Sequence, residues 1–285
     1  MEATWLPAQL TALGCPDAKC VRIRAKDGVH VYRVADGPRR WVLKYFENPE
    51  YRREIAYYRL LASLGVPTLT VAAATEDALL LEDVEASPTL RLGKGQDMRD
   101  PAVLRAVGHW YRLLHEKGRG LPPQQCQGLY CEYNALTEEA LDTAALRSGT
   151  QDAPCWQALR RAVPLLQERL AAAQLTLTYN DFHFSNLVVA RDRSTALMYD
   201  YNLLGLGLAA SDTANVCYSM SPVCRAAFKE TCGPADPAEE ALALALEGPV
   251  ALALAGKRAM WPAWANGLLQ QALKGTLEAR LRALA

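Results

Sequence analysis

The sequence of 285 residues predicts an α+β fold, with a small five-stranded antiparallel sheet and one helix first and a larger, mainly helical portion after it. Three observations carry this expectation. β-rich runs alternate with Asp-Gly turns up to Phe46, a single helical run with clear start and stop signals follows, and past Val84 helix signals dominate.

Cys20 to Arg24, Val29 to Val34 and Trp41 to Phe46 are the first three strands, joined by Asp27-Gly28 and Asp36-Gly37, both hairpin signals. Pro49 opens a helix through Leu64, which Gly65 stops at its C-terminal end and Pro67 prevents from resuming. Thr68 to Ala73 and Ala78 to Glu82 complete the sheet, so the helix lies between strands three and four. Beyond Val84, Asp100-Pro101 starts a helix that stops at Gly118, and Asn134 to Arg147 and Ala153 to Ala173 read as two more. Asp236-Pro237-Ala238-Glu239 is expected to act as a capping box for another. Leu175 to Asp200 interrupts this helical stretch with short β-like runs.

Composition excludes several classes of function. Lys plus Arg and Asp plus Glu are both 31, divided 11 and 11 up to Val84 and 20 and 20 beyond, so no basic face for nucleic acid is implied. The opening residues lack the pattern of a secretory signal, and the longest apolar stretch, Ala241 to Gly256, is broken by Glu247, Gly248 and Pro249. A cytoplasmic protein without membrane contact is expected. Eight cysteines form no Cys-x-x-Cys pair and no zinc-finger spacing, which predicts buried free thiols.

Val42, Lys44 and Phe46 share one face of the third strand, which sets an ammonium between apolar side chains. Tyr51, Glu54, Tyr58 and Leu61 share a stripe of the following helix, so Glu54 also faces inward. A buried charge is costly unless paired, and these two would satisfy each other, either as a structural ion pair or as part of a site. In Leu177-Thr-Tyr-Asn-Asp-Phe-His-Phe-Ser-Asn-Leu-Val-Val189, polar residues fill a turn between two β-runs, so Asp181 and Asn186 sit in one tight loop. A further strand, Thr195 to Tyr199, then presents Asp200 at its end. A carboxylate near an attacking hydroxyl, an amide oxygen and a second carboxylate for a metal, and a paired lysine for phosphates form the set that phosphoryl transfer needs. That reaction proceeds by positioning and charge neutralisation.

The order Lys44, Glu54, Asp181, Asn186, Asp200 resembles the protein-kinase-like fold, and the finer likeness is to the aminoglycoside phosphotransferase and choline kinase family. That family's His-Gly-Asp-x-His-x-x-Asn loop is matched at Asp181, His183 and Asn186, and its Ile-Asp-Trp/Phe metal site at Tyr199-Asp200-Tyr201. Leu114-His115 matches its Leu-His, and Asp212 an Asp about a dozen residues past the metal Asp, so the resemblance covers roughly residues 20 to 220. It implies two lobes: residues 1–84, which bind nucleotide, and residues 85–285, which carry the catalytic loop and substrate pocket. The implied activity is transfer of the γ-phosphate of ATP or GTP, with Mg2+, to a hydroxyl of a small molecule. By the same resemblance Asp181 is the catalytic carboxylate, Asn186 and Asp200 hold Mg2+, Lys44 binds the α/β-phosphates and Glu54 orients Lys44. The backbone from Glu82 to Val84 takes the adenine edge, Asp212 braces the catalytic loop, and His115 is a core histidine.

Some positions depart from the pattern. Tyr179-Asn180 replaces His-Gly and Phe184-Ser185 replaces Pro-Gly, although Asn180 can adopt the left-handed backbone a glycine would supply. No glycine-rich phosphate loop is present, and the first hairpin offers only Lys26-Asp27-Gly28. With no Ala-Pro-Glu and only 85 residues after Asp200, a protein kinase is disfavoured. A catalytically silent kinase-fold binding protein and an unrelated α/β protein also compete with the enzyme reading. After Tyr199, eight acids face seven bases, a balance that lacks the acidity a polycationic aminoglycoside favours. Trp261 and Trp264 are either an aromatic wall for an acceptor or anchors of a helix junction. The acceptor stays open among amino alcohols, sugars, nucleosides and aminoglycoside-like molecules.

Overall fold

A computed structural model describes residues 4–218 and 220–284 of the chain. The elements run α1 (Leu6–Ala12), β1 (Lys19–Lys26), β2 (Val29–Asp36), β3 (Arg39–Phe46), α2 (Arg53–Leu64), β4 (Val71–Ala74), β5 (Ala78–Glu82) and β6 (Leu90–Leu92). They continue with α3 (Pro101–Arg119), α4 (Pro123–Cys126), α5 (Glu138–Arg147), α6 (Pro154–Ala172), β7 (Thr176–Thr178), β8 (Leu187–Ala190), β9 (Ala196–Met198) and β10 (Gly205–Gly207). The remaining helices are α7 (Ala209–Cys217), α8 (Pro222–Cys232), α9 (Pro237–Gly256), α10 (Asn266–Leu273) and α11 (Thr276–Leu284). This is the α+β, kinase-like architecture, a small antiparallel sheet followed by a larger helical portion. By their internal contacts, residues 4–114, 181–204 and 220–233 form one compact unit and 115–180, 205–218 and 234–284 another.

In the first unit, the five strands pair in the order β1-β2-β3-β5-β4, all antiparallel. Asp27-Gly28 forms a two-residue turn in which both residues take positive φ, 54° and 78°, as a primed hairpin turn requires, whereas the second turn is Gly37-Pro38, with Asp36 still paired to Arg39 and Gly37 at φ 57°. Tyr32, Val34, Leu43 and Leu80 occupy one face of the sheet and pack with Leu10, Leu13 and Cys15 of the α1 region. Each such aliphatic burial contributes about 1.5–3 kcal/mol. The helix begins as a 3-10 turn over Pro49–Arg52, capped by the Asn48 side chain, and α2 ends at Gly65 with φ 71°. The fourth strand starts at Val71 rather than Thr68, because Thr70 still lies outside the ladder and donates its N–H to the Glu82 side chain.

The unit also contains a three-stranded sheet, β6-β8-β9. Gly93, just after β6, donates to the Leu187 carbonyl, and a Cβ there would lie 2.5 Å from the Phe184 carbonyl oxygen. The absence of a side chain is what admits this strand beside the loop that precedes β8.

The second unit is built on α5, α6, α9, α10 and α11 around a core of Leu141, Trp156, Leu159, Leu166, Leu246 and Leu252. The apolar stretch noted in the sequence is α9, whose Leu242, Leu246, Val250, Leu252 and Ala253 are buried in that core, and a helix enclosed on most sides needs no polar face. No helix among the described residues is long and apolar enough to cross a membrane. Asp236 caps α9 by accepting from the Ala238 N–H, but no capping box forms, since the Glu239 carboxylate accepts from the Ala210 N–H instead. Trp261 packs on the core and donates to Asn266, whereas Trp264 is 53% exposed. The eight cysteines are free, with Cys15, Cys155, Cys217 and Cys224 buried and the other four only partly so.

Candidate active site

Lys44 lies on β3, a central strand, opposite Val31 of β2 and Leu79 of β5. Its Nζ donates to Glu54 Oε2 at 2.5 Å and to Asp200 Oδ1 at 2.7 Å, and stands 5.5 Å from the Phe46 ring centroid. Helical spacing from the Asn48 cap brings Glu54, in the first turn of α2, under the sheet, where it is fully buried. Burial works against the Lys44 charge, but the Glu54 and Asp200 carboxylates outweigh it and hold its pKa above the ordinary value. Glu54 is pushed up by the same burial, to about 7, with Lys44 pulling the other way.

The loop before β8 is tied by side chains. Asn186 Nδ2 donates to both the Asp181 carbonyl oxygen, at 3.1 Å, and Asp181 Oδ2, at 2.9 Å. His183 Nδ1 accepts from the Ser185 N–H and pairs with the Ser185 hydroxyl at 2.7 Å, and the Tyr199 hydroxyl donates to the Ser185 carbonyl at 2.6 Å. The β8-β9 hairpin, with Leu187 opposite Met198 and the Tyr199 N–H on the Asn186 carbonyl, folds positions 186 and 200 back to one end. Asp200 takes a positive φ of 65°, and its Oδ1 accepts from Asn202 Nδ2 at 2.7 Å as well as from Lys44. Asp181 is partly buried, and burial first, then the Asp200 charge, raises its carboxyl above the ordinary carboxylate value, against the Asn186 hydrogen bond.

In the second unit, Asp212 is buried and accepts from the Tyr179 and Asn180 N–H groups, at 2.9 and 3.0 Å, and pairs with His115 Nε2 at 3.0 Å. Asn180 has φ 63°, the left-handed backbone anticipated at this position. These are the two residues that precede Asp181 in the chain. Near Asp212 is Glu132, whose carboxyl burial and the Asp212 charge push up to about 7.

The oxygen set fits a small hard cation. Asn186 Oδ1 faces only the Ser185 hydroxyl, at 3.3 Å, among the described residues, and three carboxylates, Glu54, Asp181 and Asp200, share the neighbourhood of the single ammonium of Lys44. Among the described residues there is no group of three or more His, Cys, Asp or Glu that could hold a metal ion by itself. At the end of β5, the Glu82 N–H is occupied by the Thr70 carbonyl, whereas the Val84 N–H has no partner among the described residues. Asp83, between them, is held by Arg33 at 3.0 Å.

Two contacts of the first unit and one of the second were not legible in the sequence. In the first unit the direct Lys44–Asp200 bridge joins residues 156 apart in the chain, and Asn202 reaches Asp200 from two residues further on; in the second unit Glu132 lies in a stretch with no motif. The pattern Asp200-Tyr-Asn202 is the local trace of the Asn202 contact.

A family profile described as the phosphotransferase enzyme family matches residues 21–284. No curated protein matches the chain significantly. Among solved structures, choline kinase LicA from Streptococcus pneumoniae is 12% identical with TM-score 0.65, over 96% of this chain and 98% of that one. A choline/ethanolamine kinase family protein from Mesorhizobium loti is 15% identical with TM-score 0.67, over 98% and 97%. A spectinomycin phosphotransferase, solved with ADP and spectinomycin, is 15% identical with TM-score 0.59, over 100% and 98%.

Proposed function

The chain belongs to the phosphotransferase enzyme family, and from that premise we propose that it transfers the γ-phosphate of ATP or GTP to a hydroxyl of a small molecule. The observation that carries the proposal is the bridge from Lys44 to both Glu54 and Asp200, in a cluster that also includes Asp181. An ammonium fixed by a buried carboxylate and touching a second, more exposed one is arranged to receive phosphate oxygens, because Asp200 can exchange Lys44 for a cation.

In this reading Asp181 accepts a hydrogen bond from the acceptor hydroxyl and takes its proton as the oxygen bonds to the γ-phosphorus. The nucleoside diphosphate leaves with the electrons of the broken bond. Lys44 holds the α/β-phosphates, and Glu54 keeps Lys44 in place. Asn186 and Asp200 would hold Mg2+, which neutralises charge on the phosphates when bound. The Glu82 carbonyl and the Val84 N–H take the adenine edge. Asn186 orients Asp181, and Asp212 fixes the backbone just before it. Retention of this whole set favours an enzyme over a silent kinase-fold binder, with nucleotide and a small hydroxyl compound as its partners, in the cytoplasm.

The neighbours are named for choline, ethanolamine or spectinomycin, so amino alcohols and aminoglycoside-like molecules head the acceptors to screen, with sugars and nucleosides after them. The test has two stages. Mg-ATP or Mg-GTP should raise the melting temperature, since a ligand that binds the folded state alone stabilises it. Acceptors are then screened by nucleotide consumption. Calorimetry showing no binding of either nucleotide at millimolar concentration overturns the reading.

A further inference from the structure

The first sheet has a register shift close to the site. The β1-β2 ladder is regular from Lys19 opposite Ala35 to Arg22 opposite Tyr32, then shifts, and the next pair is Arg24 opposite Val31. Ile23 is thus the extra residue of a β-bulge. Without it, Ile23 would oppose Val31 and Arg24 would oppose His30, because side chains alternate between faces with a period of two. The bulge therefore re-aims Arg24, as bulges near functional sites do.

The new face is that of the site. Val31 is opposite Arg24 on one side and opposite Lys44 on the other, so Arg24, Val31 and Lys44 form one row across three strands and share one face of the sheet. Two strand spacings separate Arg24 from Lys44, about 10 Å. Arg24 is exposed and makes no hydrogen bond or ion pair among the described residues, unlike Arg33, Arg39, Arg52 and Arg53 nearby. Its charge reaches Tyr199, the neighbour of Asp200. Arg22, by contrast, is directly opposite Tyr32, which packs in the core on the other face of the sheet.

We propose that Arg24 is a phosphate-binding residue, delivering a guanidinium to the nucleotide's phosphates from the strand where a glycine-rich loop would otherwise present backbone N–H groups. The proposal rests on the phosphotransferase reading. The hairpin here has a two-residue Asp27-Gly28 turn and no run of glycines, so it offers few backbone donors to a phosphate. A guanidinium forks two donors onto one phosphate and acts at a distance that a short, taut turn cannot cover. Placed on the Lys44 row, it meets the outer side of a polyphosphate whose inner side Lys44 holds.

Isothermal titration of the wild type, Arg24→Met, Arg24→Lys and Arg22→Met with Mg-ATP and with adenosine separates the possibilities. Arg24→Met should weaken Mg-ATP roughly tenfold, the size of one charge-assisted contact, while adenosine affinity stays within about twofold. Arg24→Lys should recover part of the loss, and Arg22→Met, which removes the same net charge from the other face, should leave both ligands unchanged. If Arg24→Met binds Mg-ATP like the wild type, or if adenosine weakens in parallel, or if Arg22→Met loses as much, the proposal is overturned and Arg24 is one more edge-strand charge. A wild type that binds neither Mg-ATP nor Mg-GTP fails the phosphotransferase reading itself, and this proposal with it.

Discussion

Lys44 and Asp200 are 156 residues apart in sequence and 2.7 Å apart in space, and the same ammonium also touches the fully buried Glu54. One cation therefore answers for two carboxylates of different burial. Removing it has consequences for stability that are separable from those for turnover.

Lys44→Met should abolish most turnover by losing phosphate positioning, and it should also strand Glu54. Uncompensated, a buried ionised partner costs about 3–5 kcal/mol. Burial already raises Glu54 and Lys44 holds it down, so in the variant the folded carboxyl stays protonated to higher pH and the penalty grows as pH rises from the unfolded value of about 4.5 through 7 and above. Urea unfolding at pH 5.5 and pH 8.5 should show a larger deficit at the higher pH, and Lys44→Met/Glu54→Gln should remove the pH dependence. An equal deficit at both pH values contradicts this account.

Asp181 and Asp200 are both carboxylates of the loop region, but they separate by what they touch. Asp181 is bound by Asn186, and Asp200 by Lys44 and Asn202. With an acceptor in hand, Asp181→Asn should lower turnover by about two to four orders of magnitude with Mg-ATP affinity nearly unchanged. Asp200→Asn should weaken metal-dependent nucleotide binding as well as turnover, read as loss of the Mg2+-dependent part of the thermal shift. Wild-type turnover by Asp181→Asn means that the carboxylate is not at the reacting oxygen.

Glu132 supplies a test in the second unit that involves no ligand. Burial and Asp212 raise its carboxyl to about 7, above its unfolded value, so the folded protein binds the extra proton in the window between. Stability from this group is fully present at acid pH and falls as pH rises from about 4.5 through 7. Glu132→Gln should therefore be more stable than the wild type at pH 8, by on the order of 1–3 kcal/mol, with the difference shrinking towards pH 5. A constant difference across that range points to altered packing instead.

The sequence by itself determined the local elements whose signals are short-range: the Asp-Gly hairpins, the helix stopped at Gly65, and the face of β3 that carries Lys44 with Phe46. It also determined the loop in which Asp181 and Asn186 lie five residues apart, since tight spacing leaves few conformations, and Asn180 marks the left-handed residue that the turn needs. Tertiary structure decided what depends on chain return. The Lys44–Asp200 bridge, the Asp212 carboxylate on the Tyr179 and Asn180 N–H groups, and the release of Glu239 from its expected cap to Ala210 all join residues at least 29 apart. Register belongs to the same class. A single extra residue at Ile23 moves Arg24 from one face of the sheet to the other, and no local propensity distinguishes the two registers on an exposed edge strand. Only pairing with β2, and through it with β3, fixes which face receives the charge.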